Sequence, residues 1–364
     1  MLVLFMGMGG GYVGAGSTDT TTTCPESPEV CEEFSIFWDV WQLASDEFVI
    51  PEAVDPEQMT EGAINGMLDS LGDPGHTRYL SADAAKKWDE SLTGEFEGIG
   101  AYLGMREGHA TVIAPIKGSP AEAAGLQSGD VIIKVDNVET DGWTIDEVVA
   151  HVRGPKGTSV VLTIRRPEHP APMDITVERD TIDVPSVDWT MLNDDVAFIA
   201  LSTFSHGSSD EMLTAVQQAQ AQGATRIIFD LRNNLGGFVH EAVAIAGLFL
   251  PQNSVVLVEE DRSDNRIPTR TNTPPIAPDI PMVVLVNQFT ASSAEIVSGA
   301  LQDAGRAELV GVGTVGTGTV LTTYELEEGA KLLLGTIQWL TPNGRSIHNQ
   351  GIAPDEEVIM PIDV

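Results

Sequence analysis

The chain has 364 residues, 42% of them hydrophobic, enough for two or three domains with a substantial core. Its 54 acidic residues against 19 basic ones give a formal net charge of −35, which argues against nucleic acid or anionic lipid held by long-range attraction. A solvated acidic surface is the plain reading of that excess, and it says nothing about fold.

Residues 1–31 comprise an apolar, glycine-rich run, MLVLFMGMGGGYVGAG, and a threonine-rich polar linker. The run is similar to the end of an export signal or membrane anchor. It is short for a bilayer span and no Lys or Arg precedes it, so a start further upstream is expected. The expected location is extracytoplasmic (periplasmic, secreted or membrane-anchored), with membrane attachment only through this segment. Cys24 and Cys31, the only two cysteines, could close a small disulfide loop in an exported chain. A lone thiol pair makes no metal site, and no metal or cofactor is expected.

Residues 32–92 read as helical, through FWDVWQLASDEF and DPEQMTEGAINGMLDSLGDPG, with apolar residues at three and four spacing and a Gly-Asp-Pro-Gly stop. Over 93–180 short β runs alternate with glycine turns. Ser119-Pro120 opens a helix by serine capping with proline in its first turn, and Gly125 ends it. From 181 to 364 strands and helices alternate: DVAFIALSTF, SSDEMLTAVQQAQAQG, RIIFDLR, FVHEAVAIAGLFL, MVVLVN, TASSAEIVSGALQDAG and AELVGV, then a hairpin, TTYELEEGAKLLLGTIQWL. The polar, proline-rich DRSDNRIPTRTNTPPIAPDI reads as a loop.

Two short stretches carry chemistry. Ser292 and Ser293 stand where a buried strand runs into a helix, whose first amides point at the place where an oxyanion would form. The same residues also make a plain capping box, Ser292-x-x-Glu295. In FDLRNNLGG a buried strand ends in two amides and a Gly-Gly turn, which lets backbone N–H groups approach a ligand, or serves only as a tight turn.

GIGAYL, GSPAEAAGLQSGDVIIKVD and VRGPKGTSVVLTI together resemble a PDZ domain. That resemblance implies a carboxylate-receiving loop at Gly98, Ile99 and Gly100, with a peptide added as a strand. DLRNNLGG, VNQFTASSAEIVSGALQDAGRAELVG, TPNGRSI and GIAPDEEV resemble the carboxyl-terminal processing, or tail-specific, serine peptidases, and the order of elements matches from about residue 33. The implied fold is α/β, with an N-terminal helical region, a PDZ domain and a mixed α/β core of the crotonase or Clp-like ββα kind. The implied partners are unstructured protein or peptide C-termini.

Carried over, the family's serine is Ser292, and its oxyanion amides are those of Ser293 and of Gly236 or Gly237. Thr317 stands where the family carries its lysine base, and Leu321 where it carries a glutamine. A threonine hydroxyl has no comparable basicity, so weak or absent proteolysis is expected. An active endopeptidase with a histidine base and a non-enzymatic peptide-binding protein are the competing readings. The six lysines, Lys86, Lys87, Lys117, Lys134, Lys156 and Lys331, all lie outside the glycine-rich stretch after Arg306. His240, His348 and His206 are the histidines considered as replacement bases, and Asp303 is read as structural.

Overall fold

The computed structural model describes residues 27–359 apart from 74, 107, 167, 168, 170 and 194. The expected signal or anchor run, its linker up to residue 26 and Cys24 lie outside the described residues. The chain divides into two compact units, one ending at Gly62 and the other beginning at Ala63. In the first, α1 (Pro28–Glu47) starts at Ser27, whose side chain accepts the Val30 N–H at 3.5 Å, with Pro28 in the first turn. Asp55 caps the N–H groups of Glu57 and Gln58 at 2.9 and 3.2 Å and so opens α2 (Pro56–Asp69), which continues past the division. Among the described residues no helix is long and apolar enough to cross a membrane.

Beyond α2 come β1 (Arg78–Leu80) and α3 (Ala82–Thr93). The next elements are β2 (Glu95–Gly98), β3 (Ala101–Arg106), β4 (His109–Pro115), α4 (Pro120–Ala123), β5 (Val131–Val135), β6 (Val138–Glu139), α5 (Ile145–Val152), β7 (Ser159–Arg165), β8 (Met173–Glu178) and β9 (Asp180–Asp183). An antiparallel sheet runs β3-β4-β5-β7-β8, with β6 folded onto β5, while β2 pairs with β9. Alternation along β7 turns Val160, Leu162 and Ile164 inward against Val148 and Val152 of α5. A full capping box of Thr144 and Glu147 starts α5. Among the described residues β3 pairs only with β4, and its other edge is open.

The core follows with β10 (Val187–Asn193), β11 (Val196–Leu201), α6 (Ser208–Ala221), β12 (Arg226–Asp230), α7 (Val239–Phe249), β13 (Val255–Glu260), β14 (Arg266–Arg270), β15 (Met282–Val286), α8 (Ser293–Asp303), β16 (Glu308–Gly311), β17 (Thr319–Glu325), β18 (Lys331–Leu340) and β19 (Glu356–Glu357). One sheet has the order β10-β11-β12-β15-β16-β19 and is parallel except at its β10 edge. Its central strands RIIFD and MVVLV are nearly continuous apolar runs, as strands covered on both faces must be. The second sheet, β1-β18-β13-β14 with β17 on β18, is antiparallel.

Two elements differ from the sequence expectation. Residues 78–80, expected within a helical region, form β1 and pair Arg78 with Leu333 and Leu80 with Lys331 of β18. Residues 266–270, expected in a loop, form β14. Pro268 is tolerated there because β14 is an edge strand, where a missing N–H donor costs no ladder bond.

Phe229, fully buried in β12, packs with Phe249 of α7 at 6.1 Å between ring centroids. Phe229→Ala should lower the unfolding free energy by about 3–5 kcal/mol, read as a shifted urea midpoint.

Candidate active site

The carboxyl ends of β12 and β15 lie side by side, because Asp230 pairs with Leu285 in parallel register. The loops leaving these ends are cross-tied. The Ala291 N–H donates to the Asn234 carbonyl at 2.9 Å, Thr290 Oγ1 donates to the Leu231 carbonyl at 2.9 Å, and Asn287 and Asn233 exchange bonds at 3.0 and 2.8 Å. This is the usual ligand position of an open α/β sheet.

Ser292 precedes the first turn of α8 with φ 53° and ψ −121°. A non-glycine residue held there stores on the order of 1–3 kcal/mol of backbone strain, and such outliers gather at functional sites. Its N–H donates to Glu295 Oε2 at 2.9 Å and to Thr317 Oγ1 at 2.5 Å. Glu295, with no solvent exposure, also accepts from Thr314 Oγ1 at 2.5 Å, the Gly316 N–H at 2.7 Å, and the Thr317 N–H and hydroxyl at 2.9 and 2.6 Å. The expected capping glutamate is thus the anchor of the whole turn. Trp339 adds a bond from Nε1 to the Thr317 carbonyl at 2.9 Å.

The Gly-Gly turn packs directly against this serine. A Cβ on Gly236, whose φ is 100°, would lie 2.6 Å from Ser292 Cβ, and one on Gly237, whose φ is 138°, would lie 2.4 Å from the Phe204 carbonyl oxygen. The two glycines are not equivalent as oxyanion donors. The Gly236 N–H is committed to Asn234 Oδ1 at 2.8 Å, whereas Gly237 lines the cleft in front of Ser292. Ser293 is fully buried, with its hydroxyl donating to the Gly237 carbonyl at 2.8 Å and its N–H at the first turn of α8. Of the two glycines, Gly237 is thus the one whose N–H is not committed to Asn234 and which lines the cleft.

The cleft holds about 490 Å³ and takes its walls from Trp88, Leu235, Phe238, Ile296, Val320 and Leu321 among others, with Thr317 beside Ser292. It also contains His76, which the sequence reading passed over. His76 Nδ1 lies 2.7 Å from Thr319 Oγ1, and Thr319 Oγ1 donates to Asp73 Oδ2 at 3.0 Å. A threonine hydroxyl has one proton and gives it to the carboxylate, so Nδ1 must carry a proton, and in the neutral imidazole Nε2 is then the acceptor. Asp73 also accepts from Thr77 Oγ1 at 2.7 Å. Burial alone would raise its pKa, but hydrogen bonds from His76 and Thr77, the histidine's charge and the Thr319 bond outweigh it and hold Asp73 at about 2.

His206, His240 and His348 are not among the residues that line this cleft. His206 and His240 are exposed and, with Glu241, bring three potential ligand atoms within 4.8 Å of one another. Glu241 already accepts the Gly207 and Ser209 N–H groups at 2.8 and 2.9 Å, capping α6. Asp303 accepts the Asn343 N–H at 2.8 Å and pairs with Arg345 at 2.5 Å, tying the end of α8 to the turn after β18.

A second concavity of about 240 Å³ lies along the open edge of β3, lined by Ile99, Gly100, Tyr102, Val149, Val152 and Arg153 among others. Gly98 ends β2 and does not line it. Gly100, at φ 75°, leaves no room for a side chain, since a Cβ would lie 2.4 Å from Ser119 Cβ. An unpaired strand edge beside a helix is the geometry that accepts an added peptide strand.

Comparison with known proteins gives the family and its domains. The profile of Peptidase family S41 matches residues 195–358, that of a PDZ domain residues 111–166, and that of the activating protease CtpB N-terminal domain residues 4–84. The chain is 36% identical over 323 residues to a CtpA-like serine protease of Staphylococcus epidermidis, covering 88% of this chain and 65% of that protein. It is 35% identical over 320 residues to the carboxy-terminal processing protease CtpA of Bacillus subtilis, covering 88% and 67%. The chain thus spans about two thirds of the length of these relatives. A solved Bacteroides fragilis structure assigned to the S41 proteases superposes with a TM-score of 0.55 at 19% identity, over 88% of this chain and 90% of that one, a likeness of fold. Fold and serine turn together define a PDZ-bearing serine-peptidase scaffold. The chain belongs to the carboxyl-terminal processing peptidase family.

Glu295→Gln would aim an amide NH₂ at groups that are all donors, so it should destabilise the fold by roughly 2–5 kcal/mol, seen as a lowered Tm. Asp73 has a lower pKa in the fold than its ordinary 3.8. It therefore stabilises the native state above that value, and the contribution is lost as pH falls through about 2. Melting curves between pH 7 and 2 should show a steeper acid loss in the native chain than in Asp73→Asn.

Proposed function

We propose that the chain is a working serine endopeptidase that cleaves unstructured protein C-termini, with His76 as the base for Ser292. The observation that carries this reading is the place of His76: in the cleft of Ser292, Nδ1 held by Thr319 and Asp73, Nε2 left to accept a proton. Ser292 Oγ attacks the scissile carbonyl carbon while its proton passes to His76 Nε2. The oxyanion is received by the Ser293 and Gly237 N–H groups at the positive end of α8. Collapse expels the amine, which takes the proton back from His76, and water then hydrolyses the acyl-enzyme by the same steps in reverse order. The groove along β3 holds the chain end as an added strand while the segment before it reaches the serine. The place of action in this proposal is extracytoplasmic, supported by the export-like apolar run in residues 1–31, and cell fractionation tests it.

One observation favours the competing reading, a peptide-binding protein with little or no proteolysis. Thr317, where the family carries lysine, spends its hydroxyl on the Ser292 N–H and Glu295, and Leu321 offers no hydrogen bond in place of glutamine.

Degradation of an unfolded substrate with an apolar C-terminus separates the two. The native chain should cleave, and Ser292→Ala and His76→Ala should each lose about a thousandfold or more of kcat/KM. Cleavage only by a Thr317→Lys, Leu321→Gln double variant would instead establish a binding scaffold whose base was lost.

A further inference from the structure

The lining of the Ser292 cleft is apolar, glycine or hydroxyl-bearing except for two side chains, His76 and Arg78. His76 has partners in Thr319 and Asp73. Arg78 has none: its Nε is buried without a hydrogen bond, and among the described residues its guanidinium enters no ion pair. Other half-buried arginines are satisfied. Arg179 donates to the Val152, Ser159 and His151 carbonyls, Arg306 to those of Phe249, Ala277 and Ile280, and Arg232 pairs with Asp230 at 2.6 Å. Against these, a half-buried guanidinium whose Nε has neither a carbonyl nor a carboxylate is an exception that the fold itself does not repay.

The position of Arg78 is built rather than incidental. It stands on β1 opposite Leu333 of β18, and its guanidinium carbon lies 4.9 Å from the Trp88 ring centroid. A tryptophan face fixes a guanidinium by cation–π attraction and leaves its planar fork of donors to a ligand. Thr77, the residue between His76 and Arg78, is turned away from the cleft: its hydroxyl donates to Asp73 and accepts the Gly335 N–H at 2.9 Å. His76 and Arg78, on either side of it, both line the cleft. Burial lowers the arginine's pKa from its ordinary value, the mark of a charge without enough solvent or partners, and a bidentate carboxylate supplies both deficits.

We infer that Arg78 is a specificity residue of this cleft, holding a carboxylate of the bound peptide while the serine acts on a nearby bond. The inference rests on the peptidase reading of the cleft. Two sources share the chemistry, an Asp or Glu side chain of the segment in the cleft, and the α-carboxylate of a chain end that enters this cleft in place of the β3 groove.

The test compares peptide pairs on the full chain: one apolar-ended peptide as free acid and as C-terminal amide, and one amidated peptide with an internal Glu or Gln. In one pair the native chain should prefer the carboxylate by roughly tenfold in kcat/KM, mostly through KM, the order contributed by a charge-assisted hydrogen bond. In Arg78→Met that preference should fall towards one, and Arg78→Lys should restore part of it. The pair that responds identifies the source. Any contribution of the β3 groove to the preference is the same in native and variant chains, so only the change between them is read. An equal preference in the native chain and Arg78→Met would overturn the inference. If the native chain cleaves nothing, the same ratios are read as Kd by calorimetry on Ser292→Ala with and without Arg78→Met. The failure of the peptidase reading then stays separate from the failure of the arginine's role.

Discussion

The Glu295 carboxylate binds two segments of the core into one site. It is fully removed from solvent yet accepts five donors, from Ser292, Thr314, Gly316 and twice from Thr317. A buried carboxylate is tolerable only when its lone pairs are filled in this way. Because it reaches back to the Ser292 N–H, it holds that residue in a backbone conformation it would otherwise leave. The carboxylate also lies in the first turn of α8, where a negative charge meets the helix's positive end. The Ser292 turn, the start of α8 and the 314–317 segment therefore share one support, and a change at any of them is felt by the others.

The parts of the site legible in the sequence are those whose chemistry is local. Ser292, Ser293 and the Gly236-Gly237 turn could be found because a strand end, a capping pattern and a glycine pair are written in consecutive residues. Ile99 and Gly100 followed only from the PDZ resemblance, since composition gives no more than a small α/β module. His76 and Arg78 were not legible. They sit at and just before a strand of three residues, too short for alternation to show, directly after a Gly-Asp-Pro-Gly that reads as a helix stop. Its partner strand lies far along the chain, and nothing near residue 76 announces it. β14 escaped for a related reason, since its proline and polar residues are permitted only by its place at a sheet edge. The histidines nearest Ser292 in local motif terms, His240 and His348, were the natural candidates, but nearness in the chain is a poor guide to a site assembled by tertiary pairing.

The two concavities share a physical character. Each combines apolar walls with backbone polar groups: the unpaired edge of β3 in one, the start of α8 and the Gly237 turn in the other. Such surfaces read main chain and general apolarity more than side-chain identity. The acidity of the chain as a whole enters neither of them, because the charged residues that line them are few and mostly basic.

The pairing of β1 with β18 has a consequence for the order in which this protein matures. The bonds that close the Ser292 cleft link residues 243 and 258 positions apart in sequence, His76 to Thr319 and Thr77 to Gly335. During synthesis the imidazole emerges early and waits while the β3–β8 sheet and the parallel sheet are made, and it meets its threonine only when the last hairpin arrives. Contacts of such long range form late and slowly. A chain cut short before β18 would keep Ser292 but lose the Gly335 partner of Thr77 and the strand that pairs with β1. The topology thereby makes the order of the Ser292 cleft depend on the β17–β18 hairpin.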